Sequence, residues 1–270
     1  MAERVLRTEK APLRPDKTEE RVLKIAVLSP HRDDAAFSLS LAVGDWLERG
    51  HAVVVVNCFT RTGFAPFSDV EQVHANDRAT YCTGVRLRED ERWRRQFGKK
   101  MRLIDLNLKD ASLRLGVVEV DPEANLGLDT PNEALFNEKA IEKIRRELER
   151  LAADAVVLPL GIGGGVDHRT AREAGLPQAD AGLPCAFYEE LPMAVPFREE
   201  IEAAAKERSV GLEAVFAGDT QEAIARKRRL ALCYDSQIED KTAEEIAGFA
   251  ARYGGRERLW ANAAWRQAGL

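Results

Sequence analysis

Hydrolysis at neutral pH needs an activated water and a group to move its proton, and two short stretches of the chain carry side chains suited to both tasks. In Ala26 to Leu41, AVLSPHRDDAAFSLSL, residues His31, Asp33 and Asp34 crowd together after an apolar run that stops at Ser29-Pro30. In Gly161 to His168, GIGGGVDH, a glycine-rich turn after the apolar run Ala155 to Leu160 ends in Asp167-His168. Histidine and carboxylate at a spacing of three can grip one metal ion and leave the carboxylate between them free for proton transfer. A downstream histidine completes a two-imidazole, one-carboxylate set with an open position for water, as in catalytic rather than structural zinc sites. The candidate ligands are therefore His31, Asp34 and His168, and the candidate base is Asp33. Taken alone, H-x-D-D also reads as a solvated loop whose aspartates cap the next helix. In a chain with four histidines, the second strand-end Asp-His shifts the balance toward a site.

Each stretch requires a buried strand to deliver it, and an open parallel α/β sheet places its ligands at the carboxyl ends of its strands. Strands are expected near 25–28, at Gly50 to Phe59, Met101 to Leu106, Ala155 to Leu160 and Cys185 to Leu191, with a short one over Ser112 to Val120. Between the first two lies a helix from Phe37 to Arg49, whose Leu39, Val43, Trp46 and Leu47 share one face. Ser68-x-x-Glu71 predicts the start of a helical region running, with a break at Gly84, to about Phe97, and Thr130-Pro131-Asn132-Glu133 the start of another. Further helices are expected after Asp219 and Thr242, and a last one over Leu259 to Trp265. No internal repeat or composition break appears, so the expectation is one doubly wound α/β domain over residues 21–270, with helices on both faces of a mostly parallel sheet. Residues 1–20, charged and without apolar periodicity, read as a mobile arm.

Composition narrows the function. Of 270 residues, 45% are hydrophobic, enough for a substantial core, and the net charge of −5 comes with no basic stripe, which argues against nucleic acid as partner. No membrane anchor is visible, and the four separated cysteines without a C-x-x-C read as free thiols of a cytoplasmic protein. Gly161 and Gly163 begin a dinucleotide fingerprint, but its last position is Val166, so nicotinamide and flavin chemistry are not expected. Oligomeric state is left open.

These residues resemble the PIG-L (LmbE-like) zinc-dependent de-N-acetylases. SPHRDD is similar to that family's PH-x-DD signature and GGGVDHR to its H-x-DH segment; Phe59-Thr60-Arg61, Arg88-Glu89-Asp90, FYEELP at 187–192 and YDSQ at 234–237 follow in the same order. The chain departs from the pattern at Ala35, where an acidic residue often stands, and at Gly165, which replaces the first histidine of H-x-DH. The resemblance implies a Rossmann-like fold and hydrolytic removal of an acetyl group from an amino sugar or similar polar amine, with Zn2+ as cofactor. It also implies substrate contacts at Arg61, Asp167 and the Gly165 position, and a brace for the site at Arg88 to Asp90. A metal-binding relative with little activity, or an amidase for a thiol conjugate or biosynthetic intermediate, would share the same ligands.

Overall fold

The structure, a computed structural model, describes residues 21–115, 137–162, 165–196, 201–202, 205, 211–218 and 222–270. The arm at 1–20 and the helix start at Thr130 lie outside them. β1 (Lys24–Ser29) is buried along IAVLS and pairs in parallel on both sides, with β2 (Ala52–Asn57) and β4 (Ala155–Pro159). A strand covered on both faces needs no polar alternation, which is why these segments read as unbroken apolar runs. β3 (Met101–Asp105) extends the sheet beyond β2, and β5 (Cys185–Tyr188) extends it beyond β4, again in parallel. β7 (Glu257–Ala261) and β6 (Glu213–Ala217) close that edge antiparallel, giving the order β3-β2-β1-β4-β5-β7-β6. The direction of winding reverses between β1 and β4, and both candidate stretches leave the carboxyl ends of those two strands, where such folds form their ligand crevice.

The first helix, α1 (Asp34–Glu48), begins three residues earlier than its apolar face suggests. Ser29 at the end of β1 makes this possible: its hydroxyl accepts from the Ala35 amide at 3.0 Å, doing the work of a cap from five residues upstream of the helix. The His-x-Asp-Asp turn is thereby held tight, with Asp34 inside the first helical turn. α2 (Arg78–Arg94) runs unbroken through Gly84, and the interruption lies instead at Val73 and His74, which are extended between two short 3-10 turns. Ser68 makes no cap; its hydroxyl donates to Ala65 O at 2.7 Å.

The described part of the expected strand at Ser112 is a short helix, α3 (Ala111–Leu115), nucleated by Asp110, whose Oδ1 accepts from Ser112 Oγ and the Leu113 amide. α4 (Glu138–Leu151), capped by Asn137, feeds β4 and packs against α5 (Val166–Asp180), which carries His168. α6 (Ala223–Ala231) packs against α1 and against α7 (Asp240–Ala251), burying Lys227 and Leu230 while Ile224 is 47% exposed. The tail is not one helix: Trp260 lies in β7, and only α8 (Ala263–Gln267) is helical, with both Trp260 and Trp265 in the core. A short buried run such as ERLWA fits strand or helix equally well on hydrophobicity alone.

One fully buried ion pair ties three of these elements. Lys227 of α6 meets Glu257 of β7, whose carboxylate also accepts from the Leu41 and Ala42 amides of α1 at 3.2 and 2.8 Å. Removing one partner strands the other charge in the core. Lys227→Ala is therefore expected to cost about 3 to 5 kcal/mol in urea unfolding, and the isosteric double change Lys227→Met with Glu257→Gln much less; equal losses from the two variants would rule the pair out as the source.

Candidate metal and catalytic centre

His31 and Asp34 leave β1, His168 sits on the first turn of α5, and the crevice between β1 and β4 brings the three together. The ligand atoms they offer all lie within 4.8 Å of one another. Asp34 Oδ2 is 3.5 Å from His31 Nδ1 and 3.5 Å from His168 Nε2, with the two imidazole rings 5.2 Å apart and tilted by 57°. Ligands bonded at about 2.0 to 2.2 Å to one tetrahedral ion stand about 3.3 to 3.6 Å from each other. The spacing fits a metal, and so does the chemistry of the donors: two imidazoles, one carboxylate and no thiolate.

The far nitrogen of each imidazole faces a second carboxylate. His31 Nε2 lies 3.1 Å from Asp167 Oδ2, and His168 Nδ1 lies 3.4 Å from Glu190 Oε1. Such carboxylate-imidazole pairs orient metal ligands and fix which nitrogen keeps its proton. Asp167 also accepts from the Ala111 amide at 2.7 Å and pairs with Arg114 at 2.7 Å, and the Arg114 guanidinium lies over the Phe59 ring. The Asp167 side chain is 2% exposed, so its carboxylate, expected from sequence to meet substrate, is occupied by protein partners.

The electrostatics of the cluster couple its carboxylates to its imidazoles. Burial works against charge on both imidazoles, yet hydrogen bonds from His31 to Asp167 and Asp34 hold its pKa well above 6.5, and the Asp34 charge with the Glu190 hydrogen bond raises that of His168. Burial would raise Asp34, but the flanking histidines bring it down to about 2; Asp167 is lowered in the same way, its burial outweighed by His31 and Arg114. Protons on the imidazoles thus supply positive charge that a divalent ion would supply on binding.

Asp33 is adjacent to the ligand cluster without belonging to it. Its Oδ1 is held by the Arg86 guanidinium, and its side chain is 14% exposed. Arg86 projects from α2, whose buried stripe comprises Cys82, Arg86, Glu89, Asp90 and Trp93. Behind it, Arg32 pairs with Asp90 at 2.5 Å and Asp105 at 2.7 Å, Asn57 donates to Asp90 at 2.7 Å, and the Tyr234 hydroxyl donates to Asp90 Oδ1 at 2.5 Å. Within Arg88 to Asp90, the expected brace, Glu89 and Asp90 are buried and Arg88 is exposed. Glu89 accepts from the Ser236 amide and hydroxyl at 2.8 and 2.9 Å.

The remaining sequence candidates fall at the margin. The Arg61 side chain is exposed, while its backbone bridges to Lys109. Gly165 caps α5 with φ −53°, an angle open to any residue, and among the described residues a Cβ there would meet His168 Cδ2 at 3.6 Å, an ordinary contact. Neither the backbone nor the immediate packing demands glycine. In FYEELP, Tyr188 donates to Leu28 O, Glu189 turns toward Arg258 and Trp260, and Glu190 reaches the site. Arg86, Arg114 and the role of Glu190 escaped sequence reasoning. For Arg86 a signal existed, since it stands in phase with Cys82, Glu89 and Trp93 where apolar residues belong.

The fold and this cluster place His31, Asp34 and His168, a donor set that could hold a metal ion, with Asp33 beside them at the switch point of a doubly wound α/β domain. The PIG-L family, described as GlcNAc-PI de-N-acetylase, matches residues 26–178. The 2'-N-acetylparomamine deacetylase of Streptomyces fradiae is 31% identical over 255 residues, 91% of this chain and 85% of that protein. The chain belongs to the PIG-L family. Its fold is shared by the zinc-inhibited form of teicoplanin deacetylase, with a TM-score of 0.65 at 18% identity over 88% of this chain and 97% of that one. It is also shared by GalB, a 4-carboxy-2-hydroxymuconate hydratase of Pseudomonas putida KT2440, with a TM-score of 0.55 at 12% identity over 89% and 95% of the two chains. Since a hydratase shares the fold, the reaction must be argued from the site.

The division of labour between the neighbouring aspartates is directly testable. Asp33→Asn is expected to keep the metal and lose turnover, whereas His168→Ala loses metal occupancy. Arg86→Ala frees the base, and its kcat is expected to fall at least about tenfold with metal content unchanged. Elemental analysis and kinetics on the purified variants decide, and loss of metal from Asp33→Asn would reverse the assignment of the two aspartates.

Proposed function

We propose that the protein is a zinc-dependent N-deacetylase that hydrolyses the acetamide of an N-acetylated amino sugar. The observation that carries this reading is Asp33, locked by Arg86 beside a three-ligand cluster of His31, Asp34 and His168. Zinc bound there would supply Lewis acidity, polarising the acyl carbonyl and bringing the pKa of a water to about 7. Arg86 engages Oδ1 of Asp33, which leaves Oδ2 to take the proton of the attacking water. When the C–N bond breaks, the same carboxyl returns that proton to the amine nitrogen, so acetate and free amine leave and Asp33 is regenerated. Membership of a de-N-acetylase family and 31% identity to a deacetylase named for an N-acetylated aminoglycoside favour an amino-sugar substrate. Arg61, exposed in the segment after β2, Asp167 and the Gly165 position are the proposed substrate contacts.

The four cysteines are free and buried, in keeping with a proposed cytoplasmic setting. No helix among the described residues is long and apolar enough to cross a membrane.

Acetate release from N-acetylated amino sugars, 2'-N-acetylparomamine among them, tests the proposal. The zinc-loaded protein should turn over, chelation should abolish activity, and zinc should restore it. Full activity in metal-free protein would refute it.

Gly165 supports a separate expectation. The family resemblance puts a histidine here that donates to the developing oxyanion or leaving group, and losing one such donor typically costs about 2.7 to 4 kcal/mol in the transition state. With an ordinary φ and room for a Cβ, Gly165→His should fold and retain metal. A rise in kcat on an N-acetyl amino sugar is expected if the missing side chain was a donor; a fall in kcat/KM with metal retained would mean that the native substrate occupies that space.

A further inference from the structure

We propose that Glu190 is the positioning residue that makes His168 a metal ligand, an inference that rests on the metal-centred reading above. Glu190 lies just past the end of β5 and its side chain is wholly buried. A carboxylate so placed must be fully partnered, because an isolated buried charge is costly. Three donors converge on it. Oε1 accepts from the Gly161 amide at 2.6 Å and stands 3.4 Å from His168 Nδ1, while Oε2 accepts from the Ile162 amide at 3.3 Å. Gly161 has φ +84°, a left-handed angle that side chains rarely adopt, and this turn directs two successive amides at one carboxylate. Gly161 is thus required by the backbone, in contrast to Gly165.

The consequence concerns which nitrogen of His168 carries a proton. A carboxylate only accepts, so facing Glu190 makes Nδ1 the N–H and leaves the lone pair on Nε2. Nε2 is the nitrogen that stands 3.5 Å from Asp34 Oδ2, on the side where the ligand atoms gather. Glu190 therefore selects the metal-binding tautomer and orients the ring, and it does so from a wholly buried position just past the end of β5. The same carboxylate holds the turn after β4, so sheet, glycine turn and ligand are set by one side chain.

Glu190→Gln discriminates positioning from simple structural support. An amide keeps the volume but presents only one acceptor atom. It must either face the Ile162 amide with its own N–H or donate to His168 Nδ1 and move the proton to Nε2. Zinc affinity is measured by competition with a chromogenic chelator, alongside circular dichroism and thermal unfolding, for wild type and variant. The expected result is zinc binding weakened about 10- to 100-fold in a folded variant. Unchanged zinc affinity with a lowered melting temperature would overturn the proposal and leave Glu190 a structural tie. Wild type that binds no zinc would instead overturn the metal-centred reading. Should Glu190→Gln not fold, nitrogen-15 NMR of the zinc-loaded wild type decides: a protonated Nδ1 on His168 supports the proposal, and metal on Nδ1 overturns it.

Discussion

Four carboxylates converge on the crevice between β1 and β4, and the need to neutralise them organises the surrounding structure. Asp33 is met by Arg86, Asp167 by Arg114 and His31, Glu190 by two amides and His168, and Asp34 by both imidazoles. Burial penalises the charges of Asp34 and Asp167, and the flanking histidines, with Arg114 beside Asp167, hold both below the usual carboxylate range. Asp34 is the one whose partners are two groups that normally titrate near neutrality, and its pKa near 2 shows how strongly it pulls protons onto them. The cluster reads as a metal centre because its two imidazoles and one carboxylate offer ligand atoms within 4.8 Å of one another.

The scaffold behind the crevice is polar where it touches the site. Arg32, between the first ligand and the base, points away from both and is clasped by Asp90, Asp105 and, through its carbonyl, Tyr234. That clasp links the loop after β1 to α2, the end of β3 and the segment after α6. Arg86 reaches Asp33 from the same helix, so the base and its brace move as one body. On the other side, Glu190 links β5 to the turn after β4. The two sides of the site are joined by the His31–Asp167 contact and by the Tyr188 hydroxyl, which donates to Leu28 O.

Much of this was legible in the sequence, for definable reasons. Buried parallel strands produce unbroken apolar runs, and β1, β2 and β4 were recognisable on that basis together with His31, Asp33, Asp34 and His168 at their ends. What escaped recognition depended on contacts distant in sequence. Arg86 meets Asp33 across 53 residues and Glu190 meets His168 across 22, and no local pattern announces either pair. The partners of Asp167, the Ala111 amide and Arg114, come from α3, a segment that reads as a strand in sequence, so its burial had no local signal. β6 was hidden because its residues are largely exposed, and β7 because a short buried run such as ERLWA fits strand or helix equally well on hydrophobicity alone. The start of α1 was misjudged because its cap comes from Ser29, outside the usual window.

The central claim is that His31, Asp34 and His168 hold one metal ion while Asp33 stays outside its ligand set. Anomalous diffraction at the zinc absorption edge from crystals of the zinc-loaded protein tests this most directly. The account predicts one peak within bonding distance of His31 Nδ1, Asp34 Oδ2 and His168 Nε2, with Asp33 still paired to Arg86. A peak bonded to Asp33, or one that leaves out either imidazole, would contradict it.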